Sequence, residues 1–282
     1  MTVSLPPKKE GTFRILHFSD IHAGLVEWKW KYLLDKRFFG RLNQFSCRQK
    51  RLRLENIAFL AENYSAINAD MALCTGDLTS IGSSEEFDNA LKLLKPLLEA
   101  ADGNFLYVPG NHDAYVSQNH DALVNAFNIL NDGKAAFEEL PTTFNVGPVE
   151  FILLNPARPC RIWQSTGELS PFVWQKLDYI LSNPARAHAR VLATHFPIAG
   201  PRNHPLSWRT KFIDWQRLAE HARNGAFQAI LSGHVHKSFC TAPENGCGAW
   251  QIGAGSLTIY DTFAIIDVNT NTGETTPNLL KI

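Results

Sequence analysis

Residues 13–22, FRILHFSDIH, run from an apolar, β-prone stretch directly into an acid and a histidine. Four later segments repeat this arrangement: MALCTGDL (71–78), FLYVPGNHD (105–113), ARVLATHFP (189–197) and FQAILSGHVH (227–236). A short apolar run that ends in turn residues is typical of a buried strand. We therefore expect all five polar groups to lie at strand ends, on one rim of a sheet.

The five polar groups supply seven residues that can bind metal and one further histidine. Carboxylates, imidazoles and an amide oxygen suit manganese, iron or zinc, whereas thiolates would indicate structural zinc. Two divalent cations about 3.5–4 Å apart can generate a hydroxide at neutral pH and neutralise the oxygens of a phosphoryl group under attack. These residue types predict a two-metal hydrolase site, with manganese as the first choice and iron or zinc as alternatives.

The residues of this predicted site divide between the two cations. Asp77 bridges both cations in this interpretation. The remaining ligands are Asp20, His22 and His236 for one cation, and Asn111, His195 and His234 for the other. His112 lies beside a ligand in the chain, and we assign it as the catalytic proton donor or phosphate stabiliser.

The five segments resemble the calcineurin-like metallophosphoesterase family, whose pattern reads DxH, GD, GNH, a histidine before a small or proline-containing turn, and GHxH. All five occur here in order, and the resemblance runs from residue 15 to about residue 260. Each alone has an ordinary explanation, since Asp often caps helices and Asn-Gly pairs form turns. Together they imply an α/β fold, a four-layer α/β/β/α sandwich with a dinuclear site between sheet edges.

One departure from the family pattern concerns the second segment. Protein phosphatases of the family extend it to GDxVDRG, whereas this chain reads GDLTSIG, with Ser80 where their second aspartate stands. The partner that orients His112 is therefore not identified, and Asp113 is the candidate for it. The GNHD, HFP and GHVH segments are more similar to the branch of cyclic-nucleotide phosphodiesterases and bacterial phosphodiester or pyrophosphate hydrolases.

The basic-aromatic insert, residues 27–53, is the one compositional anomaly. It holds nine basic residues against two acids, interleaved with tryptophan, tyrosine and phenylalanine. Three interpretations stay open: a cap with solvated charges, a contact to anionic lipid at the inner face of a membrane, or single-strand nucleic-acid stacking. Arg48 and Arg51 are candidate substrate contacts, because a guanidinium matches phosphate.

The KRFFGRLN stretch of the insert (36–43) is similar to what is expected of UDP-2,3-diacylglucosamine pyrophosphatases. The predicted function is hydrolysis of a phosphodiester or pyrophosphate bond, with a lipid-linked nucleotide as the favoured substrate. A soluble cyclic-nucleotide phosphodiesterase is the alternative. A catalytically silent metal-binding scaffold is disfavoured, because no ligand position is lost.

Composition adds bounds on location and partners. The 282 residues carry 27 basic and 27 acidic side chains, so no overall field attracts nucleic acid, which is not an expected partner. No linker divides the chain, and we expect one domain over residues 1–282, with the insert at about 25–53 as its cap. The start lacks an apolar leader, so the expected location is the cytosol. Cys240 and Cys247 are interpreted as reduced, with a hairpin disulfide as the alternative.

Periodicity predicts an amphipathic helix over residues 48–67. Ser84 as a cap, followed by an acidic first turn, predicts a second helix that ends or kinks at Pro96. Two residues beyond the HFP segment, His204 and Trp208, either line the pocket or pack inside the fold.

Overall fold

The computed structural model describes residues 3–24, 52–161 and 163–282. The first of its two sheets has five strands in the order β11-β10-β1-β2-β3. They are β1 (Thr12–Phe18), β2 (Met71–Cys74), β3 (Phe105–Tyr107), β10 (Thr262–Asn269) and β11 (Thr275–Lys281). β1, β2 and β3 are parallel, so their carboxyl ends meet at one edge.

The second sheet has six strands in the order β4-β5-β6-β7-β9-β8. They are β4 (Thr142–Val146), β5 (Val149–Leu154), β6 (Ala189–Thr194), β7 (Ala229–Ser232), β8 (Phe239–Thr241) and β9 (Trp250–Gly253). The polar groups follow β1, β2 and β3 in the first sheet, and β6 and β7 in the second. The expectation of a single rim is therefore wrong, since two sheets share the five groups.

Alternate residues of β5 show how the layers are stacked. Phe151 and Leu153 belong to the core that also contains the first sheet, whereas Ile152 and Leu154 belong to a second core. Successive side chains of a strand point to opposite faces, so the second sheet is covered on both sides. Its outer face packs against the helices Pro171–Ser182 and Trp215–Arg223.

The helices that cover the first sheet complete the sandwich. They are Glu55–Glu62, Tyr64–Ile67, Ser84–Ala100 and His120–Asn131, and their buried side chains share one core with β1 to β3. The predicted α/β/β/α architecture is confirmed, with the polar strand ends between the two sheets.

Both helix predictions differ from the structure in detail. The helix expected over 48–67 begins only at Glu55 and is interrupted at Asn63, while residues 48–51 lie outside the described part. The second helix is capped by Ser83, whose hydroxyl accepts the Glu86 N–H at 3.3 Å. It continues past Pro96 to Ala100, and Leu94 and Leu97 are fully buried. Burial of these side chains outweighs the backbone hydrogen bond that proline removes.

Most of the basic-aromatic insert lies outside the described residues, and so do Arg48 and Arg51. Among its nine basic residues Arg53 is described, with its guanidinium 2.6 Å from the Asp261 carboxylate. Cys74, Cys160, Cys240 and Cys247 are free thiols, so the disulfide alternative is wrong. None of the described helices has the length and apolarity needed to cross a membrane.

Candidate metal centre

Asp77 lies where the two sheets meet. β2 ends at Cys74, and Thr75 and Gly76 carry the chain to Asp77 on the rim. The carboxylate Oδ2 is 3.5 Å from Nε2 of His195 and 4.0 Å from Nε2 of His22. His195 follows a strand of the second sheet and His22 follows a strand of the first. One oxygen atom therefore faces ligand candidates from both sheets.

The first donor group consists of Asp20, His22, Asp77 and His236, whose ligand atoms all lie within 4.8 Å of one another. Nε2 of His236 is 3.1 Å from Nε2 of His22 and 3.2 Å from Oδ1 of Asp20. Metal–ligand bonds of about 2.0–2.2 Å place neighbouring ligand atoms about 3 Å apart. The observed spacing fits donors that converge on one cation.

The second donor group surrounds Asn111. Its amide oxygen Oδ1 is 3.1 Å from Nε2 of His195 and 2.8 Å from Nδ1 of His234. Together with Asp77 these residues supply the ligand types predicted for the second cation. All seven predicted ligands are therefore brought together, in the two predicted groups.

The outer nitrogens of three histidines contact backbone carbonyls. His22 Nδ1 lies 3.1 Å from the Thr79 oxygen, His195 Nδ1 lies 2.6 Å from the Thr75 oxygen, and His234 Nε2 lies 2.7 Å from the Thr210 oxygen. Metal-binding histidines characteristically donate the N–H that faces away from the metal to such an acceptor. This arrangement fixes each ring so that the nitrogen not hydrogen-bonded to the carbonyl faces the centre.

Asp20 provides a further test of whether cations fit. Its side chain is completely buried, and Oδ1 has Nε2 of His236 at 3.2 Å but receives no well-oriented hydrogen bond from the described residues. The other oxygen, Oδ2, accepts the backbone N–H of His234 at 3.1 Å. Burying a carboxylate oxygen that accepts no well-oriented hydrogen bond costs free energy, unless a bound cation interacts with that oxygen. The donor set of this centre therefore fits divalent cations.

His112 projects from the loop after β3, and its ring centroid lies 5.0 Å from that of His22. Its Nδ1 is 2.5 Å from the backbone oxygen of Ser80, so this nitrogen donates its hydrogen to that carbonyl. We expected Asp113 to orient the ring, but both Asp113 oxygens accept hydrogen bonds from Tyr107, Gly110 and Thr79. The Ser80 carbonyl is positioned to orient the ring, and side-chain patterns in the sequence do not reveal such a backbone partner.

A family model described as calcineurin-like phosphoesterase matches residues 13–238. The chain belongs to this family. Proteins of this family are metal-dependent phosphoester hydrolases that use a dinuclear centre. The matched range begins in β1 and ends just after His236, so it contains all seven candidate ligands.

Named relatives of this phosphoesterase are distant. A "probable cyclic nucleotide phosphodiesterase" of Rhodococcus erythropolis is 26% identical over 62% of the chain and 54% of the relative. A 3′,5′-cyclic-nucleotide phosphodiesterase of Nostoc is 26% identical over 60% of the chain and 57% of the relative. The chain thus spans little more than half the length of these relatives. A dimetal phosphatase from Danio rerio superposes with a TM-score of 0.59 at 14% identity, covering 94% and 98% of the two chains, which shows a shared fold.

The charges of the phosphoesterase centre are set by burial and by mutual contacts. Burial raises the pKa of Asp20, but His236 outweighs it and the pKa falls to about 2. Burial is likewise outweighed at Asp77, where His195 holds the pKa well below its ordinary value. Burial lowers the pKa of His195, yet the Asp77 carboxylate raises it to about 9. For His234, burial and the neighbouring His195 lower the pKa to about 3.

A cavity of about 320 Å³ opens over the centre, and we call it the central cavity. Its walls are Asp77, Asn111, His112, Ser165, Leu206, Thr210, His234, Val235 and His236. Sequence reasoning missed Ser165, Leu206 and Thr210, which lie in loops without a chemical pattern. Trp208 gave the nearest signal, since it stands between Leu206 and Thr210. Trp208 is 59% exposed and His204 is also exposed, so packing inside the fold is wrong for both, and neither is among the described residues that line the cavity.

Proposed function

We propose that this phosphoesterase is a dinuclear metal-dependent phosphodiesterase and that cyclic nucleotides are its first substrate class. The observation that carries the proposal is the position of Asp77 Oδ2, which lies 3.5 Å from His195 Nε2 and 4.0 Å from His22 Nε2. The position of this one carboxylate between the two donor groups supports a role for Asp77 as a ligand shared by both cations.

The proposed ligands follow the two donor groups. Asp20, His22, Asp77 and His236 hold one cation, while Asp77, Asn111, His195 and His234 hold the other. Two divalent cations bound here would activate water for attack on phosphorus and neutralise the phosphate oxygens. Manganese is the proposed metal, with iron and zinc as alternatives, because nitrogen and oxygen donors suit all three.

His112 is proposed to assist the leaving oxygen. It lines the central cavity beside Asp77 and Asn111, and its Nδ1 is occupied by the Ser80 carbonyl at 2.5 Å. With the ring protonated on both nitrogens, Nε2 would be the atom that passes its proton to the oxygen departing from phosphorus. The same proton can stabilise charge on the phosphate before that transfer.

The names of the relatives favour a cyclic nucleotide, since both are called cyclic-nucleotide phosphodiesterases. The central cavity, about 320 Å³, falls in the range of small-molecule pockets. A lipid-linked pyrophosphate at a membrane surface is the second candidate. Its support is the composition of the basic-aromatic insert, nine cations interleaved with aromatic rings.

The test is manganese-supplemented hydrolysis of a panel of four substrates. The panel contains bis-p-nitrophenyl phosphate, p-nitrophenyl phosphate, cyclic AMP and UDP-2,3-diacylglucosamine. We expect the diester to exceed the monoester and cyclic AMP to exceed the lipid nucleotide. Preference for the lipid nucleotide would transfer the proposal to the second candidate and give the insert an acyl-chain role.

The inactive control for this panel is Asp77→Asn, which removes the carboxylate proposed to bridge the cations. Its matched control is Asp88→Asn, because Asp88 is an exposed aspartate of helix Ser84–Ala100. We expect Asp77→Asn to lose bound metal and turnover together, while Asp88→Asn keeps both. Full activity of Asp77→Asn would refute the dinuclear proposal.

A further inference from the structure

Two loop segments, residues 158–168 and 201–211, pair alongside the central cavity, with residue 162 outside the described part. The Ser165 N–H donates to the Arg209 carbonyl at 2.8 Å, which joins the segments. We call the pair the tryptophan wall. It supplies the cavity residues Ser165, Leu206 and Thr210.

The tryptophan wall is attached directly to the second donor group. The Thr210 carbonyl accepts the His234 Nε2 hydrogen at 2.7 Å. At the other segment, Gly167 lies so close to the Phe196 ring that an added Cβ would be 2.8 Å from it. Phe196 is the chain neighbour of His195, and the ring centroids of these two residues are 5.3 Å apart. The wall therefore has a defined position relative to the proposed reaction centre.

Each segment of the wall carries one exposed tryptophan. Trp163 is 64% exposed and stands two residues before Ser165, while Trp208 is 59% exposed and stands two residues before Thr210. Tryptophan side chains are normally well covered in folded proteins. Two largely exposed aromatic rings in segments that also line the central cavity indicate a surface that a planar ligand group can cover.

The wall is also cationic. The two segments contain one acid, Glu168, and five basic residues, namely Arg158, Arg161, Arg202, Arg209 and Lys211. Their net charge is therefore +4. Arg158 is paired with Glu168 at 2.7 Å, and the Arg209 guanidinium lies 5.1 Å from the Trp208 ring centroid. The chain as a whole is neutral, so this excess is local. A ligand that is flat and anionic matches both properties.

We propose that the tryptophan wall binds the heterocyclic base of a nucleotide substrate, with Trp208 as the main stacking surface and Trp163 as the second. This inference rests on the proposed phosphodiesterase function and deepens it, because it assigns the part of the substrate that lies outside the reaction centre. Stacking of a base on an aromatic side chain is worth about 5- to 150-fold in affinity, by the effect of alanine substitution.

The test compares cyclic AMP with its base-free counterpart, methyl β-D-ribofuranoside 3′,5′-cyclic phosphate, in manganese-loaded protein. Trp208→Ala should raise KM for cyclic AMP by about 5- to 150-fold, while KM for the base-free diester changes less than twofold. Trp208→Phe should restore most of the loss, since phenylalanine also stacks. Phe172→Ala removes a 72% exposed ring on helix Pro171–Ser182 and serves as the matched control.

Two results would overturn the assignment of the wall. Unchanged KM for cyclic AMP in the double variant Trp163→Ala with Trp208→Ala would show that the rings do not hold the base. An equal rise in KM for both diesters would show that the rings only support the loops.

Binding of AMP, measured by calorimetry, separates this inference from the proposed function. If no diester is hydrolysed, but AMP binds and Trp208→Ala weakens AMP binding, the base-binding role of the wall is retained and the proposed phosphodiesterase function is refuted. If bis-p-nitrophenyl phosphate is hydrolysed while cyclic AMP and AMP are neither hydrolysed nor bound, the proposed phosphodiesterase function is retained and the base-binding role of the wall is refuted.

Discussion

Five of the seven candidate ligand residues have a left-handed backbone: Asp20, His22, Asp77, His234 and His236, with φ between 46° and 69°. This conformation costs a residue other than glycine about 1–2 kcal/mol. Backbone hydrogen bonds hold part of it in place, including His22 N–H to the Asp77 carbonyl at 3.0 Å. Strained residues of this kind cluster where a function requires them. Their concentration here is independent support for the candidate metal centre.

His112 permits a prediction that separates catalysis from metal binding. His112→Ala should lower kcat by about 100-fold or more, because general acid–base catalysis contributes about 10²–10⁴-fold. Metal content should stay unchanged, since His112 is outside both donor groups. His120→Ala, a change of an exposed histidine in helix His120–Asn131, is the control. Loss of metal from His112→Ala would mean that this residue is a ligand.

His195 makes metal affinity depend on pH. Because its pKa is raised to about 9, the metal-free protein carries a proton on His195 at neutral pH, and a cation must displace it. The Asp20 carboxyl, with a pKa of about 2, and the His234 ring, with a pKa of about 3, bring no proton to this step above pH 7. The manganese Kd should therefore fall about tenfold per pH unit between pH 7.5 and 9, and level off above.

Calorimetry in two buffers of different ionisation enthalpy measures this dependence. It should report release of about one proton per protein at pH 8. A Kd that is flat from pH 7.5 to 9 would contradict the protonated state of His195.

The loops that follow the strands depend on glycine at their points of closest approach. A Cβ on Gly110 would lie 2.2 Å from Asp77 Oδ1, and one on Gly233 would lie 2.6 Å from Asp20 Oδ2. Real Cβ atoms do not approach other atoms so closely, so each glycine allows a carboxylate to stay at the centre. These glycines therefore support the candidate metal centre by leaving space for its carboxylates, although they supply no ligand atom.

Gly110→Ala should therefore displace the Asp77 carboxylate and lose bound metal and turnover, while far-UV circular dichroism shows a retained fold. Gly133→Ala is the matched control, because Gly133 has φ of 71° and a Cβ added there would have no atom within 4 Å. That control should lose about 1 kcal/mol of stability and keep its metal. Normal metal content in Gly110→Ala would show that the loop adjusts without moving the carboxylate.

At the scale of the whole molecule, the candidate centre joins the two sheets, because its donors follow β1, β2 and β3 of one sheet and β6 and β7 of the other. Binding of cations to the native state should therefore stabilise the complete fold. At a metal concentration 100-fold above Kd, one site contributes about 2.7 kcal/mol. We expect the Tm of chelator-treated protein to rise by several degrees on addition of manganese.

Asp77→Asn provides the comparison for this measurement, since it alters the carboxylate that faces both donor groups. The variant should show a much smaller rise in Tm. An equal rise in wild type and variant would place the stabilising cations elsewhere, and no rise with manganese, iron or zinc would contradict the centre itself.

The convergence of the candidate ligands could be predicted from the sequence because each follows a strand in a short, chemically distinct segment. Helix Ser84–Ala100 was predictable for a similar reason, since its apolar positions repeat with helical spacing. Its passage through Pro96 was not, because burial of Leu94 and Leu97 against distant parts of the chain decides it. Local propensity competes there with packing, and packing is a property of the folded molecule.

The sequence by itself determined the α/β fold, the family and the candidate metal ligands, since these depend on residue types at fixed local spacing. Only the tertiary structure decided that two sheets share the centre, that the Ser80 carbonyl contacts His112, and that the loops carrying the exposed tryptophans also line the cavity. Backbone carbonyls are identical at every position, and loop side chains acquire their neighbours only through long-range packing. No local pattern can therefore encode either one.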